Sequence, residues 1–324
     1  MTDREKVIQF FGDFNPVPLS RNAQQPKHIL HGYADYVELI ALFSNGDFIT
    51  IGNILDRFKD EEILKTSDSE KAEANDENER FVQQIFQLIE YRKQLYGNDY
   101  PFTYNDNKIN LPNSLSRRKK VYLYLLLCSS LYSFRNISSI LTTEFEQLCY
   151  EVLKKYLPRT ATIKSFGENT EYTGNTEAKI KALAIDMKLP VEEEQVRENI
   201  SNRNSKERGL DLVAWLEFDD DIPNILSLFF QCACGKDWFS KLNETRRYEN
   251  YYKFYRLKPV HGMFIPYSLK RINSNRFEQE DNITNTLFFE RKRILSLLND
   301  VNFFDSFSSK EIVEKCIEFS EDIV

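Results

Sequence analysis

The stretch "GLDLVAWLEFDDDIPNILSLFFQCACGKDWFSK" (209–241) decides the fold. Two apolar runs, "GLDLVAWLEF" (209–218) and "ILSLFFQCA" (225–233), flank the turn-forming "DDDIPN" (219–224). Such runs, bounded by Asp, Pro and Asn, read as two strands paired antiparallel. Side chains alternate along a strand, so Gln231 and Ala233 share one face and Cys232 points away. Asp211 opens the first strand and Gln231 stands near the end of the second, so pairing brings both to one edge of the sheet. Two oxygen-bearing side chains, one anionic, suit a hard divalent cation such as Mg²⁺ or Mn²⁺. Such an ion polarises a phosphate and lowers the pKa of bound water, which phosphodiester hydrolysis requires.

Working outward, "TTEFEQLCYEVLKKYL" (142–157) has the spacing of an amphipathic helix, and Thr143 with Glu146 forms a capping-box-like start. "ATIKSFG" (161–167) reads as a strand ending on Gly167, and "TEAKIKALAIDMKL" (176–189) as a helix closed by Pro190. After Gln231, Asp237 is placed to cap a helix over "WFSKLNETRRYENYY" (238–252).

Residues 1–33, with Pro16, Pro18 and Pro26, read as an irregular lead. "ADYVELIALFS" (34–44), the turn "NGD" (45–47) and "IGNILDRF" (51–58) predict two short helices around a tight turn. A helix-turn-helix regulator is one reading of that pair, but Arg57 and Lys59 are its only basic contacts, which favours a scaffold or partner-docking module. "LKTSDSEKAEANDENE" (64–79) reads as a solvated linker or exposed helix start. "RFVQQIFQLIEYRKQLYG" (80–97) is a helix stopped by Gly97, and the basic "SLSRRKK" (114–120) precedes the apolar helix "VYLYLLLCSSLYSF" (121–134). The expected architecture is an α-helical N-terminal region over 1–140, for docking or accessory use, and an α/β (α+β) domain over 141–324.

Composition bounds the function. A hydrophobic share of 41%, with 25 Phe and 17 Tyr, supports a large core. The formal charge of −7 demands local basic patches, bound cations or a basic partner if nucleic acid is to be held. Cys128, Cys149, Cys232, Cys234 and Cys316 make no disulfide framework or zinc spacing. His28, His31 and His261 are too scattered for a zinc site or a serine triad. Without a signal-peptide pattern or a membrane-length apolar run, a soluble cytoplasmic protein is expected.

The order "FE" (145–146), "GLD" (209–211) and "FFQCACGKDWFSK" (229–241) resembles the restriction-endonuclease-like PD-(D/E)xK nuclease superfamily. It is most similar to a branch in which Gln replaces the second carboxylate and the segment reads Q-x-A-small-G-x-polar-W-x-x-K. The likeness covers about 140–300, including "PVHGMFIPYSL" (259–269) and "LFFERKRILSLL" (287–298). It implies a mixed sheet flanked by helices and a Mg²⁺- or Mn²⁺-dependent endodeoxyribonuclease, commonly a component of prokaryotic anti-phage defence. Carried over, Asp211 matches the metal-binding Asp, Gln231 the second-strand ligand, and Glu146 the acidic residue of the preceding helix. The chain departs from the common pattern in lacking Pro before Asp211, in having an amide at 231, and in having Ala233 at the strand-lysine position. Lys236 and Lys241 are both candidates for that lysine. Lys241 is favoured, since Trp238 to Lys241 is one helical turn and Trp238 can anchor that turn in the core.

DNA contacts are expected from Lys236, from Arg246 and Arg247 in "ETRRYENYYKFYRLK" (244–258), and from Arg291 and Arg293 in "ERKRILSLL" (290–298). For 244–258, an amphipathic helix with buried aromatics is the competing reading. The acidic balance suggests delivery by a protein partner such as an ATPase or helicase subunit, and self-association into a homo-oligomer is compatible with the chain. A non-catalytic interaction subunit that keeps a nuclease-like fold is the competing class.

Overall fold

The structure, a computed structural model, describes residues 28–44, 46–60, 71–200, 209–220 and 222–318. Among the described residues the protein is a mixed α/β chain with two sheets, and it divides into two compact units. Among the described residues no helix is long and apolar enough to cross a membrane.

The first unit contains the described residues up to Leu141, Pro266–Asn282, and the described part of Asn299–Val324. Its elements are α1 (His28–Phe43), β1 (Ile49–Thr50), α2 (Ile51–Asp60), α3 (Lys71–Tyr96), β2 (Thr103–Asn105), β3 (Lys108–Asn110) and α4 (Arg117–Ser129). The three short strands form an antiparallel sheet in the order β1-β3-β2. Helix α1 starts at His28, inside the expected irregular lead, so its first turns belong to the core-forming helix; residues 1–27 lie outside those described. Thr50 and Asn53 cap α2 reciprocally: the Thr50 N–H donates to Asn53 Oδ1 at 2.9 Å, and the Asn53 N–H to Thr50 Oγ1 at 3.3 Å. Of the predicted linker 64–79, residues 64–70 lie outside those described and the remainder forms the start of α3.

The centre of this unit is ionic. Arg92 on α3 is fully buried and bridges Asp35 at 2.7 Å and Glu38 at 2.9 Å, both on α1. Tyr100 and Tyr122 each donate to Glu38, and Ser129 donates to Asp35. Burial of that kind is tolerated because the charges are paired and their remaining lone pairs are hydrogen-bonded.

The units do not follow a single cut near residue 140. Residues 266–282 return to the first unit, where Tyr96 donates to Ser268 at 2.9 Å. Helix α9 (Ser308–Glu318) also returns, through the Lys120–Glu314 ion pair at 2.8 Å, and the Phe304 and Phe307 rings just before it pack on Tyr124. Ion pairs, two of them to this returning segment, use up most of the basic cluster at 117–120. Arg117 pairs with Asp305, Arg118 with Asp99 and Lys120 with Glu314.

The second unit, Thr142–Ile265 with Ile283–Leu298, carries a five-stranded sheet. Helix α5 (Ser138–Tyr156) leads into β4 (Thr162–Ser165), followed by α6 (Thr176–Asp186), α7 (Glu193–Asn199), β5 (Leu212–Leu216), β6 (Leu226–Cys232), β7 (Val260–Phe264), β8 (Thr286–Phe289) and α8 (Arg291–Leu297). The order is β4-β5-β6-β7-β8. The first three strands form an antiparallel meander, with Leu212 opposite Phe230, and β7 and β8 add in parallel. One sheet face, with Val213, Trp215 and Phe229, packs a core against Ile180 and Leu183 of α6 and Val196 of α7. On the other face the Phe230 ring packs at an angle against Phe264 and edge-on against Phe289.

Two local expectations change. The capping box at Thr143 and Glu146 is not at a helix start, because a 3₁₀ turn over Arg135–Ile137 feeds α5 from Ser138; Glu146 therefore sits mid-helix. The helix expected over 238–252 is instead two 3₁₀ segments, Trp238–Lys241 and Glu244–Asn250, and Asp237 makes no side-chain cap.

Candidate metal-binding site

The site forms where β5 begins and β6 ends. The Asp211 N–H extends the β5–β6 ladder to the Phe230 carbonyl at 2.9 Å. Its own carbonyl accepts from both Phe166 at 2.7 Å and Gly167 at 3.1 Å, so the end of β4 wraps around it. With its backbone held on both sides, Asp211 turns one carboxylate oxygen, Oδ2, onto the Cys232 N–H at 2.7 Å. The carboxylate therefore lies against the peptide unit that follows Gln231.

Helix α5 brings Glu146 to the same place. A Cβ built on Gly167 would stand 2.8 Å from Glu146 Oε2 and 3.1 Å from Asp211 Oδ1. The two oxygens are thus no more than about 6 Å apart, and a side chain at position 167 would push on both. Burial, then the Asp211 charge, then that of Glu168, push the Glu146 carboxyl up to about 8. Asn169 partly offsets this by donating to Glu146 Oε2 at 3.3 Å, while also holding the Thr143 carbonyl at 2.9 Å. Two carboxylates that resist carrying charge together form a site whose electrostatics favour a cation.

Gln231 is 5% exposed. Its Nε2 donates to Glu244 Oε2 at 2.8 Å, and its Oε1 is buried with no hydrogen-bond partner among the described residues. No group of three or more His, Cys, Asp or Glu side chains that could hold a metal converges among those residues; the oxygens that meet at Gly167 are those of Glu146 and Asp211. Gln231 thus carries a buried amide oxygen without a partner among the described residues, and the Asp211 carboxylate is bonded to the peptide N–H that follows it; hard cations take oxygen donors of mixed charge of this kind.

The remaining predicted residues fall into separate groups. Ala233, at the strand-lysine position, is buried, and its N–H is bonded to the Phe264 carbonyl at 2.9 Å. Lys236 is exposed and Lys241 half-buried on the 3₁₀ turn, and neither has an ion-pair or hydrogen-bond partner among the described residues. Trp238 does lie in the core, with its ring 5.5 Å from Phe288. Arg246 is held by Asn243 Oδ1 at 3.0 Å and the Asn285 carbonyl at 2.8 Å. Arg247 is half-buried on the same 3₁₀ segment. Arg293 donates to the Phe288 carbonyl at 2.7 Å. Arg291 is fully buried, so it belongs to the core and not to a DNA-facing surface: as the first residue of α8 it turns inward.

Cys232 and Cys234 are free thiols, as are the other three cysteines. Burial, then Cys149, then the Asp211 and Glu146 charges, hold the Cys232 thiol well above its usual range, which makes it a poor nucleophile. His261 is a core residue, bonded to Thr245 and Glu249 at 2.9 Å each.

Sequence reasoning missed Glu244, Asn169 and the two glycines that admit the carboxylates, Gly167 and Gly209. The only signal available was that Gly167 ends a strand and Gly209 stands two residues before Asp211. No protein-family model, curated protein or solved structure matches the chain.

Proposed function

We propose that the second unit is a metal-dependent nuclease domain of the restriction-endonuclease-like type, hydrolysing DNA phosphodiesters at the Glu146–Asp211–Gln231 site. The meander with two parallel additions, β4-β5-β6-β7-β8, is compatible with that fold. The observation that carries the reading is the approach of Glu146 and Asp211 across Gly167, where burial and then the Asp211 charge push the Glu146 carboxyl up to about 8. The unpartnered Gln231 oxygen is on the residue whose following peptide N–H bonds to Asp211. Glu146, Asp211 and the Gln231 amide oxygen would hold the ion. A divalent cation bound there would supply Lewis-acid activation of the phosphodiester.

The chain's own residues have separable tasks. Asp211, pinned through its backbone and through Cys232, presents a fixed oxygen. Glu146 can hold a proton near neutral pH and give it up when positive charge arrives. Lys241, half-buried on the turn after β6, is the candidate for stabilising charge on phosphate oxygens, with Lys236 its alternative. Lys236 and Arg247 are the proposed DNA contacts. A role in prokaryotic anti-phage defence, with an ATPase or helicase subunit as partner, rests on the resemblance alone. Co-purification from the native operon of a nucleotide-dependent protein would support it.

A second reading has its own support. Ala233 is buried where a lysine is expected, and neither candidate lysine bonds to the carboxylates, which favours a nuclease-fold interaction subunit. The helix-turn-helix reading has less, because Arg57 is bonded to Tyr36 at 2.8 Å and Lys59 pairs with Asp56.

Incubating supercoiled and linear DNA with wild type, Asp211→Asn and Lys241→Ala in Mg²⁺ or Mn²⁺ separates these readings. Cleavage by wild type that Asp211→Asn abolishes is the expected result. Cleavage by none of the three, including in the presence of the native partner, would favour the interaction subunit.

A further inference from the structure

Glu244 has no role in the reading above, yet it is built into the site with care. Its Oε2 receives the Gln231 Nε2–H at 2.8 Å, and Gly209 is what lets it come so close. A Cβ on Gly209 would meet Glu244 Oε2 at 2.4 Å, Glu244 Cβ at 2.7 Å and Gln231 Nε2 at 3.0 Å. Gly209 also adopts φ +85°, a conformation that favours glycine.

A carboxamide has a donor end and an acceptor end, whereas a carboxylate only accepts. Glu244 therefore determines which way the Gln231 amide is turned: the nitrogen must face Glu244, and the oxygen must face away. That oxygen is the buried one with no hydrogen-bond partner among the described residues. Leaving a buried acceptor so is unfavourable unless a ligand meets it. Hard cations bind amides through oxygen and are repelled by the NH₂ end.

We infer that Glu244 is a positioning residue for the metal site, fixing Gln231 so that its oxygen and not its nitrogen is offered to the cation. This rests on the proposed metal-dependent reading, and it explains how an amide serves where a second carboxylate is expected. It also sets a rule for the pair: one of the two must be an amide. A carboxylate at both positions would put two anions in contact.

The test is Mn²⁺ affinity by electron paramagnetic resonance titration, with thermal melting of each variant as a check on folding. Glu244→Ala should weaken Mn²⁺ binding about 10–100-fold, the range seen when the support of a metal ligand is lost. Gln231→Glu alone should also bind poorly, because the new carboxylate faces Glu244. The exchange Gln231→Glu with Glu244→Gln should recover wild-type affinity to within a few-fold, since the amide introduced at position 244 can donate to the new carboxylate. A role confined to packing would give no such recovery. Equal Mn²⁺ affinity in wild type and Glu244→Ala, or an exchange variant no better than Gln231→Glu, would overturn the inference and leave the metal site standing. A folded wild type that binds no Mn²⁺ would overturn both.

Discussion

Replacing Glu146 with an amide, Glu146→Gln, should stabilise the cation-free protein in alkaline solution and leave it nearly unchanged in acid. Burial, with the charges of Asp211 and Glu168 behind it, raises the folded-state carboxyl from 4.5 to about 8, while the unfolded chain keeps the ordinary value. Between these values the folded protein holds a proton that the unfolded chain has released. Folding stability from this group is therefore fully present below about 4.5 and is lost as pH rises through about 8. At about 1.4 kcal/mol for each pH unit the full loss would be roughly 5 kcal/mol, and solvent screening of a partly exposed group brings the readable effect to roughly 2–4 kcal/mol. The substituted amide has no proton to lose, so the difference between variant and wild type isolates this group from every other titration. Urea unfolding in EDTA at pH 5, 7 and 9 reads it directly. The stability gained by Glu146→Gln should grow across that series, and it should grow less when Asp211 is already replaced by Asn. A difference that stays constant with pH, or a variant less stable than wild type at pH 9, would refute the electrostatic reasoning.

Three further outcomes follow from particular contacts. Gly167→Ala places a methyl 2.8 Å from Glu146 Oε2 and should cost about 1–3 kcal/mol in urea unfolding while weakening Mn²⁺ binding; an unchanged affinity would mean the carboxylates need not be so close. Arg92→Met leaves Asp35 and Glu38 buried without their guanidinium and should destabilise by about 3–5 kcal/mol, whereas a loss below about 1 kcal/mol would show that the buried charges find other compensation. Lys236→Ala and Arg247→Ala should each weaken DNA binding and lower the slope of affinity against salt by about 1, while an unchanged slope would remove that residue from the interface.

The hairpin and its edge were the most legible part of the sequence. Two apolar runs around the turn "DDDIPN" mark β5 and β6, and burial on both faces makes those runs nearly continuous. Asp211 and Gln231 could be named because chemistry-bearing side chains interrupt otherwise apolar segments, whereas Glu146 was named through the family resemblance alone. What the sequence hid was long-range. Glu244 acts through a hydrogen bond to a strand thirteen residues earlier, and nothing in "NETRRYENYY" distinguishes it from a solvated helix face. Arg291 looks like a surface cation in "ERKR", but it is drawn inward by packing that no local pattern records. The return of 266–282 and α9 to the first unit is likewise set by distant partners, Tyr96 and Lys120 among them. The helix expected over 238–252 has the right apolar spacing for a helix. It instead forms two 3₁₀ segments, interrupted at Leu242–Asn243, that seat Trp238 and Tyr248 in the core.

The most direct measurement is a crystal structure of the protein soaked in Mn²⁺, with the ion located by its anomalous scattering. A Mn²⁺ ion between Glu146 and Asp211, with the Gln231 amide oxygen among its ligands, is the predicted result. Anomalous density absent from that pair at millimolar Mn²⁺, or an ion bound only elsewhere in the second unit, would contradict it.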